Sequence, residues 1–234
     1  VPPANGGVQP TLSLNYSSQG GDGLLGMGWS LGGLSAITRC PASYASDNFK
    51  GHIGFDANDR LCLDGQRLIL VGRGFYGTNG TEYRTEIDTF SKIVAYGAFG
   101  NGPAYFKVWT KAGEVLEYGR DTTTNQSRFA PDKADGQVNN QNLSWAINKL
   151  TDSTGNYMSF QYNTNRQTGT QVPHKIRYGG HINGQSPTAE VEFISAIRSD
   201  SSEQFVAGVR VGLSHLINTI RIKNINGVVV SKYR

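Results

Sequence analysis

Apolar and polar positions alternate along this chain far more often than they recur every three or four residues, the mark of half-buried strands. Thr11-Leu12-Ser13-Leu14-Asn15-Tyr16 alternates, as does Ala189-Glu190-Val191-Glu192-Phe193-Ile194. Thr219-Ile220-Arg221-Ile222-Lys223 places isoleucines on one face and Thr, Arg and Lys on the other. Further strands are expected at 36–40, 67–71, 82–88, 92–96, 105–110, 115–118, 145–150, 157–162 and 206–211. No segment longer than about ten residues holds a helical period.

The turns strengthen this pattern. Asp64-Gly65 separates Leu61-Cys62-Leu63 from Gln66-Arg67-Leu68-Ile69-Leu70. Asp-Gly between apolar runs predicts a two-residue hairpin, because both residues accept positive φ. Asn226-Gly227 makes the same prediction near the C-terminus, and Lys111-Ala112-Gly113 and Asp152-Ser153-Thr154-Gly155-Asn156 predict looser hairpins. Three hairpins share a form, with an apolar strand, a turn ending in Gly and a strand carrying Tyr. They run from Val108 to Tyr118, Ile147 to Tyr162 and Ile220 to Tyr233, at irregular spacing. Loops are expected at 1–10, 17–34, 42–59, 97–103, 121–141, 163–173 and 181–187. None has the composition of a linker, so 1–234 reads as a single β-rich domain with one continuous sheet system. The expected fold class is all-β, about fourteen short strands in serial antiparallel hairpins. These form a curved strip or part of a hollow β-shell. The last strand still alternates at Arg234, which suggests a fragment of a longer chain.

Composition agrees. Gly supplies 30 of 234 residues and charged residues only 17%, a chain built for tight turns and not for helices. The net charge of +4 is mild and the 22 basic residues form no run. They read as a solvated surface, so no nucleic-acid or anionic-membrane partner is expected. No apolar stretch reaches the ~18 residues of a membrane span. Cys40 and Cys62 are the two cysteines. They form either one disulfide, closing a loop worth on the order of 3 kcal/mol, or two buried thiols.

Several motifs touch on chemistry without completing it. Gly21, Gly23 and Gly26 fit G-x-G-x-x-G, but the strand–turn–helix that a dinucleotide needs is lacking, so no cofactor is expected. Gly28-Trp29-Ser30-Leu31-Gly32 fits the nucleophile elbow, with Asp200 and His215 following in order, but βα alternation is lacking. A glycine-rich turn accounts for the segment better. In it Leu24, Leu25, Trp29 and Leu31 plug a core while the glycines allow close backbone approach. Glu190-Val191-Glu192 has the E-x-E spacing of ADP-ribosyltransferases without their Ser-Thr-Ser strand, so it reads as one polar strand face. Asp56-Ala57-Asn58-Asp59 lacks the Gly and distal Glu of a calcium loop, and His52, His174, His181 and His215 lie far apart, so no metal is expected. Sequons at Asn15, Asn79, Asn125 and Asn142 matter only in a eukaryotic secretory setting.

Taken together, several stretches resemble one family. Gly23-Leu24-Leu25-Gly26-Met27-Gly28-Trp29-Ser30-Leu31-Gly32-Gly33 continues into Leu34-Ser35-Ala36-Ile37-Thr38-Arg39-Cys40-Pro41 and resembles the signature of SpvB-like N-terminal domains. Asp59-Arg60-Leu61-Cys62-Leu63-Asp64-Gly65, Tyr83-Arg84-Thr85-Glu86-Ile87-Asp88 and Phe106-Lys107-Val108-Trp109 fit the same family. The resemblance singles out Gly23, Gly26, Gly28, Trp29, Ser30, Gly32, Arg39, Asp64 and Gly65 as structural motif residues. It implies a non-catalytic segment of a secreted or surface-delivered toxin shell of the Rhs or toxin-complex type. The implied partners are the rest of that shell with its YD repeats, a C-terminal toxic cargo and other toxin-complex subunits. Two other readings stay open. One is a surface module binding glycans through Tyr76, Tyr83, Tyr96, Tyr105 and Trp109, and the other is a serine hydrolase acting through Ser30.

Overall fold

A computed structural model describes residues 1–3, 6–120, 127–135, 139–224 and 226–234. In chain order, β1 (Ser13–Tyr16) and β2 (Trp29–Gly32) form a two-stranded sheet of their own. There follow β3 (Ala36–Cys40), the one-turn helix α1 (Tyr44–Asp47), β4 (Arg60–Leu63), β5 (Gln66–Val71), β6 (Glu82–Thr85) and β7 (Lys92–Tyr96). Next come β8 (Tyr105–Trp109), β9 (Val115–Tyr118), the short β10 (Arg128–Phe129) and β11 (Ser144–Thr151). Longer strands end the chain: β12 (Asn156–Asn165), β13 (Thr170–His181), β14 (Ala189–Val206), β15 (Val209–Asn224) and β16 (Val229–Tyr233). The fold is nearly all-β and every ladder is antiparallel, as the alternation predicts.

One strand organises the large sheet. The first half of β11 pairs β3 through Ser144↔Thr38 and Ala146↔Ala36. Past a bulge between Ile147 and Lys149, its second half pairs β9 on one side and β12 on the other. The ladder from β3 through β4, β5, β6, β7, β8 and β9 therefore returns through β11 to β3, and eight strands close into a barrel-like ring. Closure removes the free edges that an open strip would expose. From β11 the sheet continues outward as an open meander, β12 to β16, called the wing below.

Alternation decides what lies inside. Ile37, Leu68, Tyr83, Ile93, Phe106, Tyr118 and Trp145 are fully buried on the inward face of the ring. Phe106 and Trp145 meet edge to face at 5.1 Å. The same sheet face carries Phe160, Ile176, Tyr178, Val191 and Phe193 across the wing, and the two sets form one continuous core. The β1–β2 hairpin lies over this apolar face of the wing, packing Leu12, Leu24, Leu25 and Leu31 against it.

Some expectations need correction. The stretch 206–211 is not one strand, because Ala207 and Gly208 take φ of 48° and 79° and turn the chain between Val206, which ends β14, and Val209, which begins β15. Apolar Val206, Val209 and Val211 hide that turn in the alternation. The loop expected at 163–173 is mostly strand, and 17–34 contains β2. The sheet system is not one continuous sheet, since β1 and β2 stand apart. Asp64 and Gly65, at φ of 49° and 81°, make the predicted two-residue hairpin. The Asn226-Gly227 turn is wider, with the Asn224 carboxamide oxygen accepting from the Asn226 and Val228 amides.

Candidate functional site

The signature residues converge on three structural knots. The first is the glycine-rich loop between β1 and β2. It folds on itself through Ser17 N to Gly28 O, Gly26 N to Gly23 O and Trp29 N to Gly26 O, and Gly32 pairs Ser13 in the ladder. It docks on the wing where Ile217 N donates to Leu24 O at 2.7 Å. Arg198, nearly buried on β14, donates to Gly23 O and Asp22 and also holds Asp200. Gly28 sits at φ 75°, where a Cβ would meet Ser17 O at 2.7 Å, so a left-handed residue without a side chain is needed there. Leu24, Leu25 and Leu31 plug the core as predicted, but Trp29 does not. It shares the face of β2 that carries Leu31 but is 43% exposed, with its ring packed on Tyr16.

The second knot closes one end of the ring. Arg39 is 6% exposed and Asp59 4%. Their Nη1···Oδ2 distance is 2.8 Å, and Asp59 also accepts from the Gly54 and Phe55 amides. Arg39 donates besides to the carbonyls of Asn142 and Asn101 and lies over Phe55. A buried ion pair persists only when its remaining hydrogen-bonding capacity is met, and here it is. The Cys40–Cys62 disulfide lies one residue away and ties β3 to β4, with Cα atoms 6.0 Å apart.

The third knot ties the β4–β5 turn to the start of β3 and to β9. Asp64 accepts from Ser35 Oγ at 2.6 Å and from the Ala36 amide at 2.9 Å. Ser35 Oγ also meets Tyr118 Oη at 2.9 Å. Burial pushes the Tyr118 phenol well above its ordinary range, so it stays a neutral hydrogen-bonding group.

No catalytic constellation emerges among the described residues. Ser30 faces Asn15 across the β1–β2 ladder, Asp200 is held by Arg198, and His215 Nδ1 meets Ser214 Oγ. Each member of the imagined triad thus has a different partner. Asp59 of the acidic loop is taken by Arg39, and no group of three metal-ligating side chains forms among the described residues. Tyr83 is fully buried, so its ring is not available to a glycan, and the hydroxyl of half-buried Tyr76 bonds the backbone of Leu61 and Leu68. Of the sequons, Asn142 is 1% exposed and Asn125 lies outside the described residues.

The feature that sequence reading passed over is the outward face of the sheet. Glu190 and Glu192 do share one strand face, but among cations. Arg177 lies 3.0 Å from Glu190 and Lys223 lies 2.8 Å from Glu192. Hydrogen bonds from these cations hold both carboxyls below the usual carboxylate range, against the opposing push of burial, which is the largest single influence on Glu190.

Comparison with known proteins places this architecture. The N-terminal domain of effector protein SpvB from Salmonella typhimurium strain LT2 superposes with a TM-score of 0.72 at 16% identity. That match covers 94% of this chain and 84% of the other. The TcdB2-TccC3 structure gives a TM-score of 0.74 at 18% identity, over 99% of this chain and 14% of that one. The Photorhabdus luminescens Tc holotoxin pore gives 0.71 at 16% identity, over 95% and 13%. No curated protein matches. The family described as Salmonella virulence plasmid 65kDa B protein matches residues 1–198, and the chain belongs to this SpvB family.

Proposed function

We propose that this chain is a non-catalytic wall segment of a secreted bacterial toxin shell, helping to enclose and deliver a toxic polypeptide. One observation carries the reading. The TcdB2-TccC3 and Tc holotoxin structures match 95 to 99% of this chain with only 13 or 14% of their own length. A fold reused whole within much longer assemblies is a building unit. The chemistry supports this: the signature residues Arg39, Asp64 and the loop glycines are all consumed in holding strands together. The cross-strand disulfide suits an oxidising, extracellular compartment. The partners in this reading are the rest of the same shell, with its YD-type hairpins, the C-terminal cargo and other toxin-complex subunits. No cofactor enters.

The test compares the parent protein with a form lacking residues 1–234. Both are challenged with protease while the C-terminal polypeptide is followed by mass spectrometry. Protection in the parent and degradation in the deletion is expected; equal protection in both overturns the enclosing role. A fluorophosphonate probe is expected to leave Ser30 unlabelled. Labelling that disappears in Ser30→Ala would overturn the non-catalytic part.

A further inference from the structure

The cations of this chain are scattered in sequence but gathered in space. Follow one row of directly opposed residues across the outward face. Lys107 on β8 faces Glu117 on β9, which faces Lys149 on β11. Lys149 faces Ser159 on β12, then come Arg177 on β13, Glu190 on β14 and Lys223 on β15. A cation stands on every second strand. Strands lie about 4.8 Å apart, so positive charge recurs roughly every 10 Å along a row that crosses from ring to wing.

The carboxylates in and beside this row are outnumbered. Glu82 is shared by Arg84 and Lys92, and Glu117 by Lys107 and Arg120. Glu190 and Glu192 together hold Lys175, Arg177, Arg221 and Lys223. Four carboxylates thus meet eight cations, and Lys149 and Lys232 on the same face raise the cations to ten. Ten less four leaves +6 on one face of a chain whose net charge is +4, so the rest of the molecule is slightly acidic. The excess is felt locally: partial desolvation, then Arg234 and Arg221, pull the Lys232 amine below its ordinary range. Aromatic rings floor the strip, with Lys149 4.7 Å from the centre of Tyr157 and Arg120 5.3 Å from that of Tyr105.

We propose that this outward face is a docking surface for an acidic polypeptide segment. Charge complementarity names the partner. An uninterrupted polyphosphate would run against Glu117 and Glu190, which stand in the row itself, whereas a peptide can space its carboxylates to meet alternate strands. The surface stands whether or not the chain belongs to a shell, because it is built from this chain's own side chains.

The experiment measures binding of a fluorescent poly-glutamate peptide to residues 1–234 at low and physiological salt. Single-stranded DNA of equal charge is measured beside it. Two doubly reversed variants of equal net charge are compared: Lys149→Glu/Arg177→Glu on the face, and Lys50→Glu/Lys133→Glu off it. Binding that weakens with salt and drops about tenfold or more only in the first variant is expected, since each reversal turns attraction into repulsion. No binding at low salt, an equal loss in both variants, or tighter binding of DNA than of poly-glutamate overturns the proposal. Should the reversals unfold the protein, Lys149→Gln/Arg177→Gln gives the same reading, with a smaller loss expected and an unchanged affinity overturning it.

Discussion

The ring and the wing are made from one sheet, yet they solve the problem of exposed surface in opposite ways. The ring turns its apolar face inward, joins its own ends through β11 and seals one mouth with the Arg39–Asp59 pair. The wing cannot close. It borrows the β1–β2 hairpin as a lid for its apolar face and leaves the charged face bare. Closure therefore makes the ring self-sufficient, while the wing depends on a sequence-distant partner for its core. Perturbations inside the ring are expected to reach the whole fold, and those at the lid only the wing.

The largest effect belongs to the ring. Arg39→Met leaves Asp59 buried without its counter-charge and is expected to cost about 3–5 kcal/mol in urea denaturation. Adding Asp59→Asn should recover part of the loss, because no charge is then stranded. A single change that left stability untouched would show that the ring mouth is wet and the contrast too sharp. Next is the disulfide. Cys40→Ser/Cys62→Ser is expected to lower stability by about 3 kcal/mol in the chain-entropy account, read as a fall in the urea midpoint. At the lid, Gly28→Ala forces a side chain into left-handed backbone and is expected to cost about 1–2 kcal/mol. Amide hydrogen exchange should locate that loss at 13–32 and in β14–β15, sparing the ring. The smallest effect is on pH. Arg198 lowers the Asp200 carboxyl to about 2, from an ordinary 3.8. A depressed carboxyl contributes fully above its unfolded value and loses that contribution as pH falls through its folded one. The Arg198 contact should thus be unchanged at pH 5 and fade only between about 4 and 2, as followed by exchange at the Leu24 and Leu25 amides.

Much of this was readable from local signals. Asp64-Gly65 announced its hairpin because two positive φ angles demand those residue types, and Leu24, Leu25 and Leu31 announced a plug by size and hydrophobicity. Closure was not readable, since it turns on β11 changing partners at Ile147, and no residue type marks a strand that serves four neighbours. Trp29 misled because it shares a strand face with Leu31 yet is left partly exposed against Tyr16, a difference that residue type alone does not carry. The charged strip was invisible for a different reason. It is assembled from a few side chains on each of many strands, so a search for runs of Lys or Arg finds none.

β11 also has a mechanical meaning. Traction on β16 would break the wing rung by rung, β16 from β15 and then each hairpin in turn, the low-force mode of an opening zipper. The tear arrives at a strand laddered to β3 and β10 at one end and to β9 and β12 at the other. There several ladders must part together, and beside them a covalent bridge holds β3 to β4. The molecule is thus a peelable ribbon riveted to a hoop, with the rivet at Ile147.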